Sequence, residues 1–494
     1  MNVLDICPIC VENSLEDQGR VQCIKWIQCT KCSQWFHSIC LNLAPEIEEN
    51  LHSYHCDKCS RKHGQSVLKR KSKRQRTLID YVALDSGEAY AVDKTQHPHL
   101  TEFQDFAAVA DLTKSNHYII VADEMSKELA FLSRMKKPIL LPNADVKKNG
   151  MALPTEKHKF TIDYITDRVG DDAPVVVMDV LTQQGVKPRW NMGQWRDYFK
   201  TPLALRDRIR NVISLEISSY DDLGKQFTRP RYVREVDLVD KVWSTHDGQE
   251  RPQITKYCLM SVKDSFTDFH IDFGGTSVYY TVCSGSKTFL MYPPTEDNLQ
   301  LYESWCLEPE QNYIWFGKYS KFVNRKKISP TGGFKVTLNA GDLFMIPSGW
   351  IHCVHTPEDS IVIGGNYITI NDLQMQLKIA QIEKATKVPQ IFRFPMFNKV
   401  LWYTSWYYYN HQDEYSSDTN NEPPTNRYDI LQALIDHLKA HLHTSKANQV
   451  ARRSIPSDLL GKDITGYLGK LDIWLTGITT ANVHNKHIKR ESRA

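Results

Sequence analysis

The feature that most constrains this chain is a crowd of thiols near its start. Of twelve cysteines in 494 residues, eight lie before position 60, in a stretch with too little hydrophobic periodicity to fold on a core of its own. Seven of them join one histidine in a spaced series: Cys7-x2-Cys10, Cys29-x2-Cys32, His37-x2-Cys40 and Cys56-x2-Cys59. Two ligands with two residues between them grip one side of a tetrahedral zinc ion, and two such pairs close a structural site. Eight ligands predict two zinc ions, and Cys23 is left over as a small filler. The opening MNVLDICPIC carries no basic segment followed by an apolar one, so no secretory signal is read and an intracellular protein with metal-bound thiolates is expected.

The order of four cysteines, one histidine and three cysteines resembles a PHD finger, in which the ligand pairs interleave. The resemblance implies that Cys7, Cys10, His37 and Cys40 hold one zinc and that Cys29, Cys32, Cys56 and Cys59 hold the other. PHD fingers often bind histone tails. Trp35 stands two residues before His37, where methyl-lysine readers commonly carry a cage aromatic, and Trp26 stands at another such position. Two indole faces attract a quaternary ammonium, by about 2 kcal/mol or more when desolvated. The competing reading is that both tryptophans pack the small core. Ile6 occupies the place before the first cysteine, often aromatic in readers, which counts against a cage.

Beyond the cysteines the composition is that of ordinary folded chains, with 41% hydrophobic and 24% charged residues. No run approaches the ~18 apolar residues of a membrane span. Net charge is only +3, yet residues 61–76 hold eight Lys/Arg and no acid. A basic linker is therefore expected over 61–78, after a finger at 4–60. The run KRKSKRQR, residues 69–76, reads as a nuclear-import signal, with weak contact to DNA phosphates as the second reading. Runs such as HYIIVA (117–122), PVVVMDV (174–180) and SVYYTVC (277–283), parted by GG (274–275), PP (293–294) and PTGG (330–333), predict several short strands in a sandwich or barrel. Leu373, Leu377 and Ala380, then Leu431, Leu434, Leu438 and Leu442, recur at helical spacing. The region 371–494 is thus expected to be mostly helical, broken by a polar loop at 411–427. Trp402, Trp406 and Tyr409 recur at i, i+4 and i+7 and read as helix-to-core packing.

Chemistry concentrates in FTDFHIDFGG (266–275). On a strand, His270 and Asp272 project from one face and can share a metal. A third ligand is available from IPSGWIHCVHTP (346–357), where His352 and His355 point to opposite faces of an extended segment, and spacing alone does not choose between them. Two histidines and one carboxylate leaving open positions form the facial triad of non-haem Fe(II) oxygenases. Lys287, in KTFLMYPP, is expected on a strand beside the HxD strand. A buried lysine there would pair with the far carboxylate of 2-oxoglutarate, assisted by the Thr267 hydroxyl.

YCLMSVKDSFTDFHIDFGGTSVYYTV (257–282), IPSGWIHCVHTP and GGNY (364–367), with TPLALRDRIRN and NVISLEIS upstream (201–218), together resemble the JmjC-domain histone demethylases that act on lysine thirty-six of histone H3, and their PHD-bearing relatives. The likeness covers roughly residues 140–380. It implies that His270, Asp272 and His352 hold Fe(II), that Thr267 and Lys287 bind 2-oxoglutarate, and that Asn211 and Tyr280 line the cosubstrate pocket. The implied fold is multidomain: a small double-zinc finger, then an all-β double-stranded β-helix of the cupin or jelly-roll kind at 251–370, preceded by 79–250 and followed by the helical region. Tyr279-Tyr280-Thr281 stands where the family has Trp-Tyr-His, a departure expected to bear on pocket shape. The implied activity is oxidative removal of methyl groups from histone lysine, mono- and dimethyl-lysine favoured, with release of formaldehyde, in the nucleus and on chromatin. A chromatin reader with a weak or inactive JmjC fold, and a protein hydroxylase, are the alternatives.

Overall fold

The computed structural model describes residues 7–9, 26–43, 51–68, 96–154, 160–243, 251–309, 311–323, 325–419 and 424–491. Ile6, Cys10, Cys23 and the basic run 69–76 lie outside them. The chain divides into two compact units, residues 1–80 and 81–494.

In the first unit the strands Trp26–Gln28 and Trp35–His37 pair antiparallel, and Leu51–Ser53 pairs with Val67–Leu68. Its interior consists of Cys7, Cys29, Phe36 and Cys56, with Trp26, Tyr54 and Leu41 packed against them. That core is too small to stand without a staple. The expected boundary at residue 60 and linker from 61 need correction. A helix runs through Asp57–His63, and the His55 ring donates from Nδ1 to the Gly64 carbonyl at 2.7 Å. Residues 61–68 therefore belong to the finger's own fold.

The second unit is built on one mostly antiparallel sheet. Its strands are β1 (Ile120–Val121), β2 (Ile139–Leu141), β3 (Met178–Asp179), β4 (Gln184–Gly185), β5 (Arg210–Glu216), β6 (Tyr257–Ser261), β7 (Phe266–His270), β8 (Ser277–Tyr292), β9 (Phe334–Asn339), β10 (Leu343–Ile346) and β11 (Ile351–Tyr367). They run in the order β1-β2-β10-β8-β11-β6-β5-β3-β4, with β7 added to β11 and β9 to β8, and only β1–β2 is parallel. Short strands were expected, but β8 and β11 are long and pair from Ser277↔Tyr367 to Tyr292↔Ile351. The first half of β8 also pairs with β10 and its second half with β9. Likewise β11 pairs with β7 at its start and β6 further on. The run PVVVMDV splits, with Pro174–Val175 pairing elsewhere and only Met178–Asp179 joining the sheet.

Both faces of β8 are buried, and two interiors divide its side chains. Val278, Tyr280 and Val282 face one cluster and Tyr279 the other, but beyond the middle of the strand Phe289 and Met291 face the first cluster and Leu290 and Tyr292 the second. The alternation changes from even to odd residues because the β8–β11 register shifts near Gly285. Such bulges insert a residue and turn the side chains that follow to the other face. Gly285 is at φ 72°, and a Cβ there would lie 2.2 Å from the Asp359 carbonyl oxygen.

Behind the sheet come α1 (Leu373–Ala385), α2 (Phe397–Asn410), α3 (Gln412–Asp418), α4 (Pro424–Ser445) and α5 (Ile464–Glu491). Leu373, Leu377, Trp402, Leu431, Leu434, Leu438 and Leu471 share one core, as the helical spacing predicts. α2 is buried nearly all round: Trp402 is fully enclosed, its Nε1 donating to His441 Nδ1 at 3.1 Å, while Trp406 and Tyr409 are only half-buried. The polar loop expected at 411–427 is largely helical, in α3 and the start of α4. One aromatic anchors it: Tyr415 is buried and donates its hydroxyl to the Arg427 carbonyl.

Replacing Gly285 with alanine combines a left-handed backbone with backbone overlap and is expected to cost about 2–4 kcal/mol. The urea midpoint of the purified chain measures this; an unchanged midpoint would show that the bulge does not need glycine.

Candidate active site

The register of the sheet decides which predicted residues meet. Residues directly opposite in an antiparallel pair share a face, so each inner-face pair can be followed from strand to strand. His270 stands opposite His352, and Thr267 opposite Val354, although 267 and 270 are three apart. A register irregularity between them lets both face inward while Phe266 and Phe269 pack on the outside. Phe266 stands opposite His355, which therefore faces away; its Nε2 lies 3.5 Å from Asp264 and its ring packs on Phe103. Asp272 follows the end of β7 in extended conformation and begins the turn Phe273–Gly275, where Gly274 and Gly275 are at φ 60° and 63°.

His270, Asp272 and His352 offer one ligand atom each within 4.8 Å of one another. The two rings are 4.3 Å apart, and His352 Nε2 is 3.8 Å from Asp272 Oδ2. Each histidine uses its other nitrogen on a backbone carbonyl: His270 Nδ1 to Asp268 at 2.9 Å, His352 Nδ1 to Trp350 at 3.1 Å. A nitrogen bonded to a carbonyl must carry the proton, which leaves each Nε2 lone pair free and aimed. Burial raises the Asp272 carboxyl, although His270 and an Asn366 hydrogen bond oppose the rise, and burial beside His270 lowers His352 well below the usual range. The pocket thus favours a neutral His352 and a carboxyl at Asp272 that a bound cation would ionise.

Lys287 is the second buried element. It is 3% exposed, and its Nζ donates to Ser261 Oγ at 2.5 Å and Thr356 Oγ1 at 2.8 Å, both hydroxyls. With no carboxylate beside it among the described residues, burial brings it down to about 7. From Ser261 the bonds continue to Asn211 Oδ1 at 2.6 Å, and from Asn211 Nδ2 to Thr267 Oγ1 at 3.4 Å. Lys287, Asn211 and Thr267 thus meet in one network. Lys287 was expected beside the HxD strand; in fact β11 lies between β7 and β8. Tyr280 shares the inner face of β8, its ring 5.2 Å from Phe289, which lies 5.8 Å from the His352 ring. The departures at Tyr279 and Thr281 fall on the opposite face, where Tyr279 donates its hydroxyl to the Thr255 carbonyl. The substitutions therefore leave the pocket wall to Tyr280.

Sequence reasoning missed Ser261, Thr356 and Asn366. The first two share Lys287 between them, and Asn366 links Asp272 to Thr276 Oγ1 at 2.7 Å. Only strand register could have found them, since small polar residues carry no motif.

In the finger unit, Cys29, Cys32, Cys56 and Cys59 come within ligand distance of one another, and so do Cys7, His37 and Cys40. This is the interleaved pairing, with Cys10 outside the described residues. Burial tends to raise Cys29, but the backbone amide of Cys56 and its neighbours hold it at about 6, while burial and the neighbouring thiols push Cys59 to about 12. Four thiols so placed ionise together only around a cation. Trp26 and Trp35 lie on one face of their two-stranded ribbon, diagonally across it, both half-buried. The Trp26 ring stands edge-on to His37 at 4.0 Å, so it packs against the ligand cluster.

The profile of the cupin-like domain family matches residues 48–372, and that of the Jumonji helical domain residues 371–470. A Debaryomyces hansenii protein named JmjC domain-containing histone demethylation protein 1 is 55% identical, over 96% of this chain and 98% of its own length. The protein of that name from Candida albicans is 56% identical over 95% and 97%, and that from Saccharomyces cerevisiae 36% identical over 80% and 86%. A cupin-like sheet with a Jumonji helical domain behind it, matched end to end by such relatives, means that the chain belongs to the JmjC domain-containing histone demethylation protein 1 family.

Proposed function

We propose that this chain is an Fe(II)- and 2-oxoglutarate-dependent histone demethylase acting on lysine thirty-six of histone H3, with mono- and dimethyl-lysine favoured. One observation carries the reading: Lys287, a buried cation-forming group without a carboxylate partner among the described residues, shares a strand face with Phe289, whose ring lies against His352 of the His270–Asp272–His352 cluster. The donor set suits iron, since two imidazoles and one carboxylate leave further positions open. The amine suits a cosubstrate carboxylate, which would give it a charge-assisted contact.

His270, Asp272 and His352 would hold the iron. Asp268 and Trp350 carbonyls fix the two rings, and Asn366 holds the carboxylate. Lys287 would bind the distal carboxylate, with Ser261 and Thr356 orienting its amine and Thr267 and Asn211 completing the wall. Tyr280 excludes water from the inner face. When bound, iron with 2-oxoglutarate and O2 would supply the oxidising power: one oxygen atom ends in succinate, with loss of CO2, and the other on the N-methyl carbon, whose hydroxymethyl amine breaks down to formaldehyde and the lysine with one methyl fewer. The protein's share is geometry, exclusion of water and placement of the methyl group.

The finger is read as a two-zinc module that binds the histone tail, with Trp26 and Trp35 as its candidate cage. The Trp26–His37 packing favours a structural part for Trp26. Chromatin is the partner and the nucleus the compartment; the basic run 69–76 would serve import, with weak DNA-phosphate contact second. The names of the relatives support the histone substrate.

The decisive experiment incubates the purified chain with methylated H3 tail peptides, Fe(II), ascorbate and 2-oxoglutarate and follows peptide mass. Stepwise loss of methyl groups from the lysine thirty-six peptide is expected, and its abolition in Asp272→Ala with finger zinc retained. A retained gain of one oxygen would make the chain a hydroxylase, and no change with iron bound would make it a reader. The second prediction concerns pH. Lys287 sits at about 7 in the free chain, so below that pH it meets the cosubstrate already charged, and above it a proton must be taken up on binding. The kcat/KM for 2-oxoglutarate should therefore fall as pH rises past 7, by about tenfold per unit. At saturating cosubstrate kcat should stay flat over the same range. In Lys287→Gln the slope should vanish and KM rise by about ten- to a hundred-fold.

A further inference from the structure

We propose that His97, His99 and Asp268 form a second metal centre, closed to solvent, for a divalent cation of the zinc class. One donor atom from each lies within 4.8 Å of the others. The two histidines are 2% exposed and Asp268 is 8% exposed. His99 Nδ1 stands 3.0 Å from Asp268 Oδ1, a hydrogen-bond separation that need widen by only a few tenths of an ångström for both atoms to lie about 2 Å from one tetrahedral ion.

A trio held by hydrogen bonds alone would use both nitrogens of each ring. Here each ring uses one. His97 Nδ1 accepts from the His99 amide at 3.2 Å and His99 Nδ1 faces Asp268, while both Nε2 atoms are buried without a hydrogen-bond partner among the described residues. A half-turn of an imidazole exchanges the nitrogen it presents without changing its volume, so the donors can converge. The surroundings exclude water: the His97 ring stacks on Phe266 at 4.8 Å and Trp315 stands edge-on to His99 at 5.5 Å. The Gln311 amide nitrogen donates to Asp268 Oδ2 at 3.4 Å and so holds the second carboxylate oxygen. Two imidazoles and a carboxylate are borderline donors suited to zinc, and a closed apolar shell marks a structural ion.

Asp268 also connects the cluster to the active site. Its carbonyl accepts from His270 Nδ1, so an ion on its carboxylate would steady the peptide that aims His270. That link depends on reading His270 as an iron ligand. The metal site itself does not.

The test uses the full chain with the iron centre disabled by His270→Ala and Asp272→Ala, so that the outcome is independent of turnover. Purified with excess zinc and freed of loose ions, this chain is compared by elemental analysis with the same chain carrying His97→Gln and His99→Gln. One equivalent of zinc fewer in the latter is expected; equal zinc overturns the proposal. Should the second chain fail to fold, cobalt(II) titration of the first reads the site unaltered. A stoichiometric step with visible d–d absorption and no thiolate charge transfer is expected, and a titration in which every step carries thiolate charge transfer overturns it.

Discussion

Almost everything in the catalytic unit hangs on one ladder, the pairing of Ser277–Tyr292 with Ile351–Tyr367. Both strands are buried on both faces along most of their length, Glu358 and Asp359 apart, so most backbone donors in them must be answered within the sheet. Neither strand can slip by a residue without moving its whole inner set outward. Along one face of this ladder stand Tyr280, Lys287, His352 and Thr356. The neighbouring strands then add His270, Thr267, Ser261 and Asn211 in register. The site is therefore a property of strand register as much as of side-chain type.

How far the sequence discloses this varies with the kind of signal. Ligand spacing is legible: the paired cysteines predict two zinc sites, whose interleaving the resemblance to a PHD finger implies, and HxD with a later histidine predicts the cluster. The choice of His352 over His355 rested on resemblance at first and has a physical cause in the pairing of His355 with Phe266 on the outer face. Lys287 and Thr267 could not be placed by alternation. Counting by twos from Tyr280 sends Lys287 outward, and counting from His270 sends Thr267 outward; a register shift in each strand brings them back. Nothing local announces such shifts except Gly285. The segment 411–427 misled for a different reason: a single Tyr415 anchors a helix that composition reads as a loop, because tertiary burial of one large aromatic outweighs many polar residues.

The interior also carries uncommon electrostatics. A buried amine bonded to two hydroxyls lies on the inner face, while two buried imidazoles with unshared nitrogens and a buried carboxyl stand on the outer side, against Phe266 and Trp315. Each such group weakens the folded state by about 1–3 kcal/mol until it is matched. A ligand that matches several at once stabilises the fold by mass action as well as being bound. Pre-arrangement of this kind is common where a cofactor must be held without rearrangement.

The helical region contributes more than a platform. Glu383 on α1 accepts from the Gly274 amide at 2.6 Å, and Phe273 packs against the helical core. The turn that follows Asp272 is thus gripped from a residue more than a hundred positions later. A recombination joint or truncation near residue 371, where the two family profiles meet, would part Asp272, the proposed iron carboxylate, from the group that holds its turn. Cupin sheet and helical domain are in that sense a single heritable module, and shuffling one without the other would cost the centre its shape before any ligand was lost.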